Sequence, residues 1–79
     1  MDREGLKQFL DRENVRPDSY SIDDELRDES LCLQTTPGGW VVFYSERGGR
    51  TGEQTFETEH EACDFMALRL LADPGNRAH

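Results

Sequence analysis

Gly39-Trp40-Val41-Val42-Phe43-Tyr44-Ser45-Glu46-Arg47-Gly48-Gly49-Arg50 reads as a strand running into a tight turn. The aromatic and β-branched side chains from Trp40 to Tyr44 suit a pleated, half-buried surface. Gly48-Gly49 supplies the positive φ angles that a two-residue hairpin loop needs, so a polar partner strand is expected over Thr51 to Phe56. Upstream, Leu31-Cys32-Leu33 opens another strand that ends near Thr35. Between the two, Thr36-Pro37-Gly38-Gly39 is turn chemistry, because proline presets φ and glycine takes the left-handed position. Residues 31–56 are therefore expected to form a three-stranded antiparallel meander.

Helices flank the meander. Within residues 2–14, Leu6, Phe9 and Leu10 recur at i, i+3 and i+4 with charges elsewhere. Asp2 suits the N-cap, Glu4 suits the positive end of the helix dipole, and Pro17 stops any continuation. Thr58-Glu59-His60-Glu61 matches a capping box and starts a second helix over residues 58–72. Its apolar face comprises Ala62, Cys63, Phe65, Met66, Ala67, Leu70 and Leu71. Asp73-Pro74-Gly75 ends that helix, and residues 73–79 are expected to be a frayed tail. Asp18 to Glu29 is rich in carboxylates with Tyr20, Ile22 and Leu26 as apolar anchors, and reads as a packed loop or a short helical turn. The whole is one α+β domain over residues 1–79: helix, three-stranded meander, helix.

The turns suggest a register. A Gly48-Gly49 loop pairs Arg47 with Arg50, Tyr44 with Glu53, Phe43 with Gln54 and Val41 with Phe56. Alternation then puts Val41, Phe43 and Phe56 on one face, and Trp40, Val42 and Tyr44 on the other. Phe56 leads directly into the second helix, so that helix is expected to cover the Phe43 face. A three-residue Pro37-Gly38-Gly39 loop adds Leu31 and Leu33 to this face; a four-residue loop moves them to the opposite one. The Trp40 face is then either covered by the first helix or left open beside acidic groups. If open, it has the composition of an interface centre, with aromatic anchors and a charged rim.

Charge narrows the function classes. Seventeen Asp and Glu against nine Lys and Arg give a formal net charge of −8 at pH 7. Such a field attracts basic partners and repels nucleic acid and anionic membrane. Lys7 is the only lysine, so there is no polybasic patch. No segment approaches the roughly 18 apolar residues of a membrane span, and Met1-Asp2-Arg3-Glu4 lacks a signal-peptide layout, so a cytoplasmic location is expected. A domain of this size buries only about 60% of its extended surface, which leaves little room for an enclosed active site.

The chemistry-bearing residues give no catalytic constellation. Cys32 and Cys63 are lone thiols, expected to be reduced and to act as small core hydrophobes. His60 and Cys63 stand three apart on a helix, but a nucleophilic pair also needs an orienting group, an oxyanion site and a cleft. His60 with Asp64 offers two metal ligands without a third or fourth. The acidic run Asp23-Asp24-Glu25-Leu26-Arg27-Asp28-Glu29 lacks the order and central glycine of a calcium loop. It reads as a solvated loop, or as an acidic mimic of a phosphate backbone. Glu46 and Arg47 can either reach outward to a partner or pair locally. No metal and no cofactor are expected, and the chain is expected not to be an enzyme.

Trp40-Val41-Val42-Phe43-Tyr44-Ser45-Glu46-Arg47-Gly48, followed by Phe56-Glu57-Thr58-Glu59-His60-Glu61-Ala62-Cys63, resembles a W-x-V-Y-Y-S-E-R-G … F-x-x-E-x-E-A-C pattern. That pattern is associated with small bacterial immunity proteins of polymorphic toxin systems. Tyr20-Ser21-Ile22-Asp23 is similar to the Y-S-L-D that precedes it, so the resemblance spans residues 18–74. Phe43 departs from the pattern by replacing a tyrosine. The resemblance implies a non-catalytic protein that binds and neutralises the toxin domain encoded beside it. The expected partner-binding residues are Trp40, Val42, Tyr44, Glu46, Arg47, Asp23, Asp24, Glu25, Asp28 and Glu29, facing a toxin with a basic surface. Two other classes remain: a homodimeric structural or regulatory domain whose Trp40 face meets its own copy, and a minimal hydrolase using Cys63.

Overall fold

Asp2 caps the first helix, its carboxylate accepting from the Gly5 amide at 2.7 Å, and α1 runs Arg3–Arg12. The computed structural model describes residues 1–23 and 28–76. After a 3-10 turn at Pro17–Ser19 come β1 (Tyr20–Ile22), β2 (Ser30–Thr36), β3 (Gly39–Glu46) and β4 (Gly49–Phe56). The chain continues into α2 (Glu59–Ala72) and a 3-10 turn at Pro74–Asn76. Thr58 caps α2, accepting from the Glu61 amide at 3.2 Å, which is one half of the capping box, while its hydroxyl donates to Glu61 Oε1 at 3.0 Å.

The architecture is α+β, and the meander is present as β2, β3 and β4. It is not the whole sheet. β1 adds a fourth strand parallel to β2, with Tyr20 opposite Leu31, Ser21 opposite Cys32 and Ile22 opposite Leu33. The expected loop at this point is thus a strand, too short at three residues to show an alternation. The expected frayed tail also needs correction over residues 73–76. There the Arg16 amide donates to the Asn76 carbonyl at 2.6 Å, and Asn76 Nδ2 donates to the Leu70 carbonyl at 3.2 Å. Residues 77–79 lie outside the described residues.

Register decides which face the helices cover, and here the expected arrangement is overturned. The β3–β4 loop is Arg47-Gly48, with φ of 51° and 77°, the pair of positive angles of a type I′ turn. Moving the turn back by one residue slides the pairing by two, which leaves every side chain on its expected face. A bulge then adds one residue to β4 between the Val42 and Tyr44 pairs, where Gly52 takes φ 62°. Beyond that bulge the parity flips, and Phe56 stands opposite Trp40 instead of Val41. Phe56 still leads into α2, so α2 covers the Trp40 face. The first hairpin agrees, since its two-residue Pro37-Gly38 loop pairs Leu33 with Val42 and Leu31 with Tyr44.

One core results between sheet and helices. Leu31, Leu33, Val42 and Ile22 meet Leu6 and Leu10 of α1 and Ala62, Cys63, Met66, Ala67 and Leu70 of α2. Trp40, Tyr44 and Phe56 are half-buried around it. α2 lies on β2, β3 and β4, and α1 packs against α2. On the reverse face Cys32, Val41 and Phe43 form a separate buried cluster that includes no helical residue. The Arg50 guanidinium carbon lies 4.1 Å from the centre of the Phe43 ring, and Arg50 Nη2 donates to Gln34 at 3.4 Å.

Candidate functional site

Tyr44 sits near the end of β3, on the face shared with α2 but close to that helix's C-terminus. Its side chain is partly buried against the core. Leu31 stands opposite it on β2, and Leu70 comes down from the last turn of α2. Around these apolar groups the chain closes a cleft of about 360 Å³ whose walls include Glu29, Arg69, Asp73 and Asn76. A second hollow of about 400 Å³ shares Glu29, Tyr44 and Asn76 and extends to Arg16, Asp18 and Asp28.

Backbone geometry brings the carboxylates here. Glu29, at φ 59°, turns the chain into β2 while its amide donates to the Ser45 carbonyl at 2.6 Å. Asp28 accepts from the Gly48 amide at 3.2 Å, which docks this turn against the β3–β4 hairpin and its Arg47. The 3-10 turn at Pro74–Asn76 folds Asp73 back toward the same end of the sheet. Burial first, and then the charges of Glu29, Glu46 and Asp73, push the Tyr44 phenol above its ordinary value of 10.0. The hydroxyl thus lies in a negative, partly desolvated field.

The cations nearby are otherwise engaged. Arg16 pairs with Asp18 at 3.2 Å, and the Arg69 guanidinium lies 5.6 Å from the centre of the Phe65 ring. Asp73 accepts from the Gly75 amide at 2.9 Å. The Glu29 and Glu46 carboxylates and the Tyr44 hydroxyl have no hydrogen-bond or ion-pair partner among the described residues. The cleft can accept a hydrogen-bond donor that carries positive charge, over an apolar floor.

Five of the expected partner-binding residues, Asp28, Glu29, Tyr44, Glu46 and Arg47, converge on this end. The others do not. Val42 is fully buried in the core, so it is corrected to a packing residue. Trp40 lies at the other end of β3, half-buried, with Arg3 over its ring at 4.9 Å. The same Arg3 donates to Asp23, and through its amide (2.8 Å) and Nε (3.1 Å) to Glu59. Asp23 and Trp40 thus belong to a clasp joining the starts of both helices to the end of β1. Asp24 and Glu25 lie outside the described residues.

Other candidate chemistry resolves into packing. Cys63 is fully buried, and burial, then the charge of Glu59, pushes its thiol up to about 11. His60 is turned away from it, with Nε2 3.1 Å from Asp64 and Nδ1 against the Met1 amine. Cys32 is likewise a free, buried thiol, on the reverse face of the sheet. Among the described residues no three His, Cys, Asp or Glu side chains are grouped to hold a metal ion. No described helix is long and apolar enough to cross a membrane.

Sequence reasoning missed the floor and far wall of the cleft: Leu31, Leu70, Asp73 and Asn76. The Pro74-Gly75 turn signal was visible, but the bond from Arg16 to Asn76 that folds it back had no local signature. No family model, curated protein or solved structure matches this chain.

Proposed function

We propose that this chain is an immunity protein, a non-catalytic inhibitor that binds a cognate bacterial toxin domain and protects the cytoplasm of the cell that makes it. The motif resemblance supplies the class, and the Tyr44 end of the sheet supplies the surface. The observation that carries the reading is the pair of adjoining hollows that share Glu29 and Tyr44, one reaching Asp73 and the other Asp28, with Glu46 close enough to act on the phenol and with Glu29, Glu46 and the phenol lacking partners among the described residues. A formal charge of −8 adds long-range attraction for a basic toxin surface. Carboxylates around the rim steer association, and the half-buried ring of Tyr44 provides contact area that slows dissociation.

The homodimer alternative and the expected Trp40 docking patch both depended on an open Trp40 face, on which α2 and Arg3 lie; the Tyr44 end is the surface that supports the present reading.

The test is protection in cells. The toxin domain encoded beside this gene is expressed under an inducible promoter, with and without this chain. Survival with the wild-type chain, and killing with a folded variant carrying Asp28→Lys, Glu29→Lys and Glu46→Lys, is the expected pattern. Killing despite abundant folded wild-type chain refutes the reading.

A further inference from the structure

The chemistry of the Tyr44 cleft specifies what enters it. We propose that it receives a single arginine side chain projecting from the toxin surface. This rests on the immunity reading and sharpens it.

Three features of the cleft match the three parts of that side chain. Leu31 and Leu70, both largely buried, line the cleft and offer limited apolar contact to the methylene stem. The Tyr44 ring, partly buried and lining the cleft, is an aromatic surface on which a planar cation can stack. Glu29 and Asp73 both line the cleft and offer carboxylate oxygens to a fork of N–H donors. The phenol has no hydrogen-bond partner among the described residues, and burial, then the charges of Glu29, Glu46 and Asp73, favour its protonated form. The volume of about 360 Å³ holds one long side chain and not a folded element.

Charge also selects against other occupants. An acidic or phosphorylated side chain meets the carboxylates of Glu29 and Asp73, with Arg69 the one cation lining the cleft among the described residues. An apolar side chain leaves the phenol and Glu29 desolvated and unpaired, which is costly. Arg69 does not fill the site from within, because its guanidinium is placed over Phe65. A lysine ammonium satisfies the charge but neither stacks nor forks, so arginine is preferred.

The test needs no toxin. The isolated chain, labelled with nitrogen-15, is titrated with a blocked Gly-Arg-Gly peptide and with the matching citrulline peptide, which keeps the shape and removes the charge. Saturable shifts at the Leu31, Tyr44 and Asp73 amides with arginine, and none with citrulline, are expected. Glu29→Gln should weaken the arginine peptide by about tenfold. Equal responses to the two peptides, shifts centred away from Tyr44, or a Glu29→Gln chain that binds as well as wild type would each overturn the assignment. The two readings fail separately. Arginine binding without protection in cells removes the immunity reading and leaves the cleft, whereas protection without arginine binding does the reverse.

Discussion

The guanidinium carbon of Arg3 lies 4.9 Å from the centre of the Trp40 ring. One side chain therefore covers the indole, pairs with Asp23 and Glu59, and ties the N-terminal turns of both helices to the sheet. Arg3→Ala should lower unfolding free energy by about 1–2 kcal/mol, combining an exposed ion pair with a cation–π contact. Arg3→Lys should recover only part of this, because an ammonium neither forks nor stacks. Urea unfolding at two salt concentrations measures both; an Arg3→Ala chain as stable as wild type removes the clasp.

Gly39 takes φ 148°, and a Cβ built on it would stand 2.3 Å from the Phe56 carbonyl oxygen. That approach lets the start of β3 lie against the end of β4. Gly39→Ala should cost at least about 2 kcal/mol from strain and displacement of the strand end. Gly38, one residue earlier, has open space around its Cβ position, so Gly38→Ala should stay within about 0.5 kcal/mol. Similar melting temperatures for the two variants would contradict the packing described.

Cys63 gives a pH prediction with a definite sign. Its thiol is raised from 9.0 to about 11 in the folded chain, so the folded state holds a proton that the unfolded chain releases. This contribution to stability is whole below pH 9.0 and is lost as pH rises through about 11. Tyr44, raised above 10.0, acts in the same direction. Melting temperature should fall across this window, less steeply in Cys63→Ala, and less steeply again when Tyr44→Phe is added. An identical slope in wild type and Cys63→Ala would show that the thiol does not titrate there.

Much of the fold was legible in local chemistry. Asp2 and Thr58 marked both helix starts, and all seven apolar residues named for α2 pack against or within the core. Two non-local facts were not legible. The bulge at Gly52 flips the register beyond it, and a lone glycine in a polar strand does not announce whether it bends or merely weakens the strand. β1 is only three residues long, too short to show an alternation, so its parallel pairing with β2 had no local signature. The candidate site divided in the same way. Tyr44, Asp28, Glu29 and Glu46 could be named from composition and motif. The meeting of Tyr44 and Glu29 with Leu70 and Asp73 required the end of α2 to land beside the sheet end, which only tertiary packing settles.

The most direct measurement is the association rate of the purified chain with the neighbouring toxin domain, followed by stopped flow across a salt series. Wild type is compared with the Glu29→Gln, Glu46→Gln double variant, its fold checked by circular dichroism. The wild-type rate should fall steeply with salt, and the variant should associate more slowly at low salt with a shallower dependence. Coincident rates and salt dependences in two folded proteins would contradict docking at the Tyr44 end of the sheet.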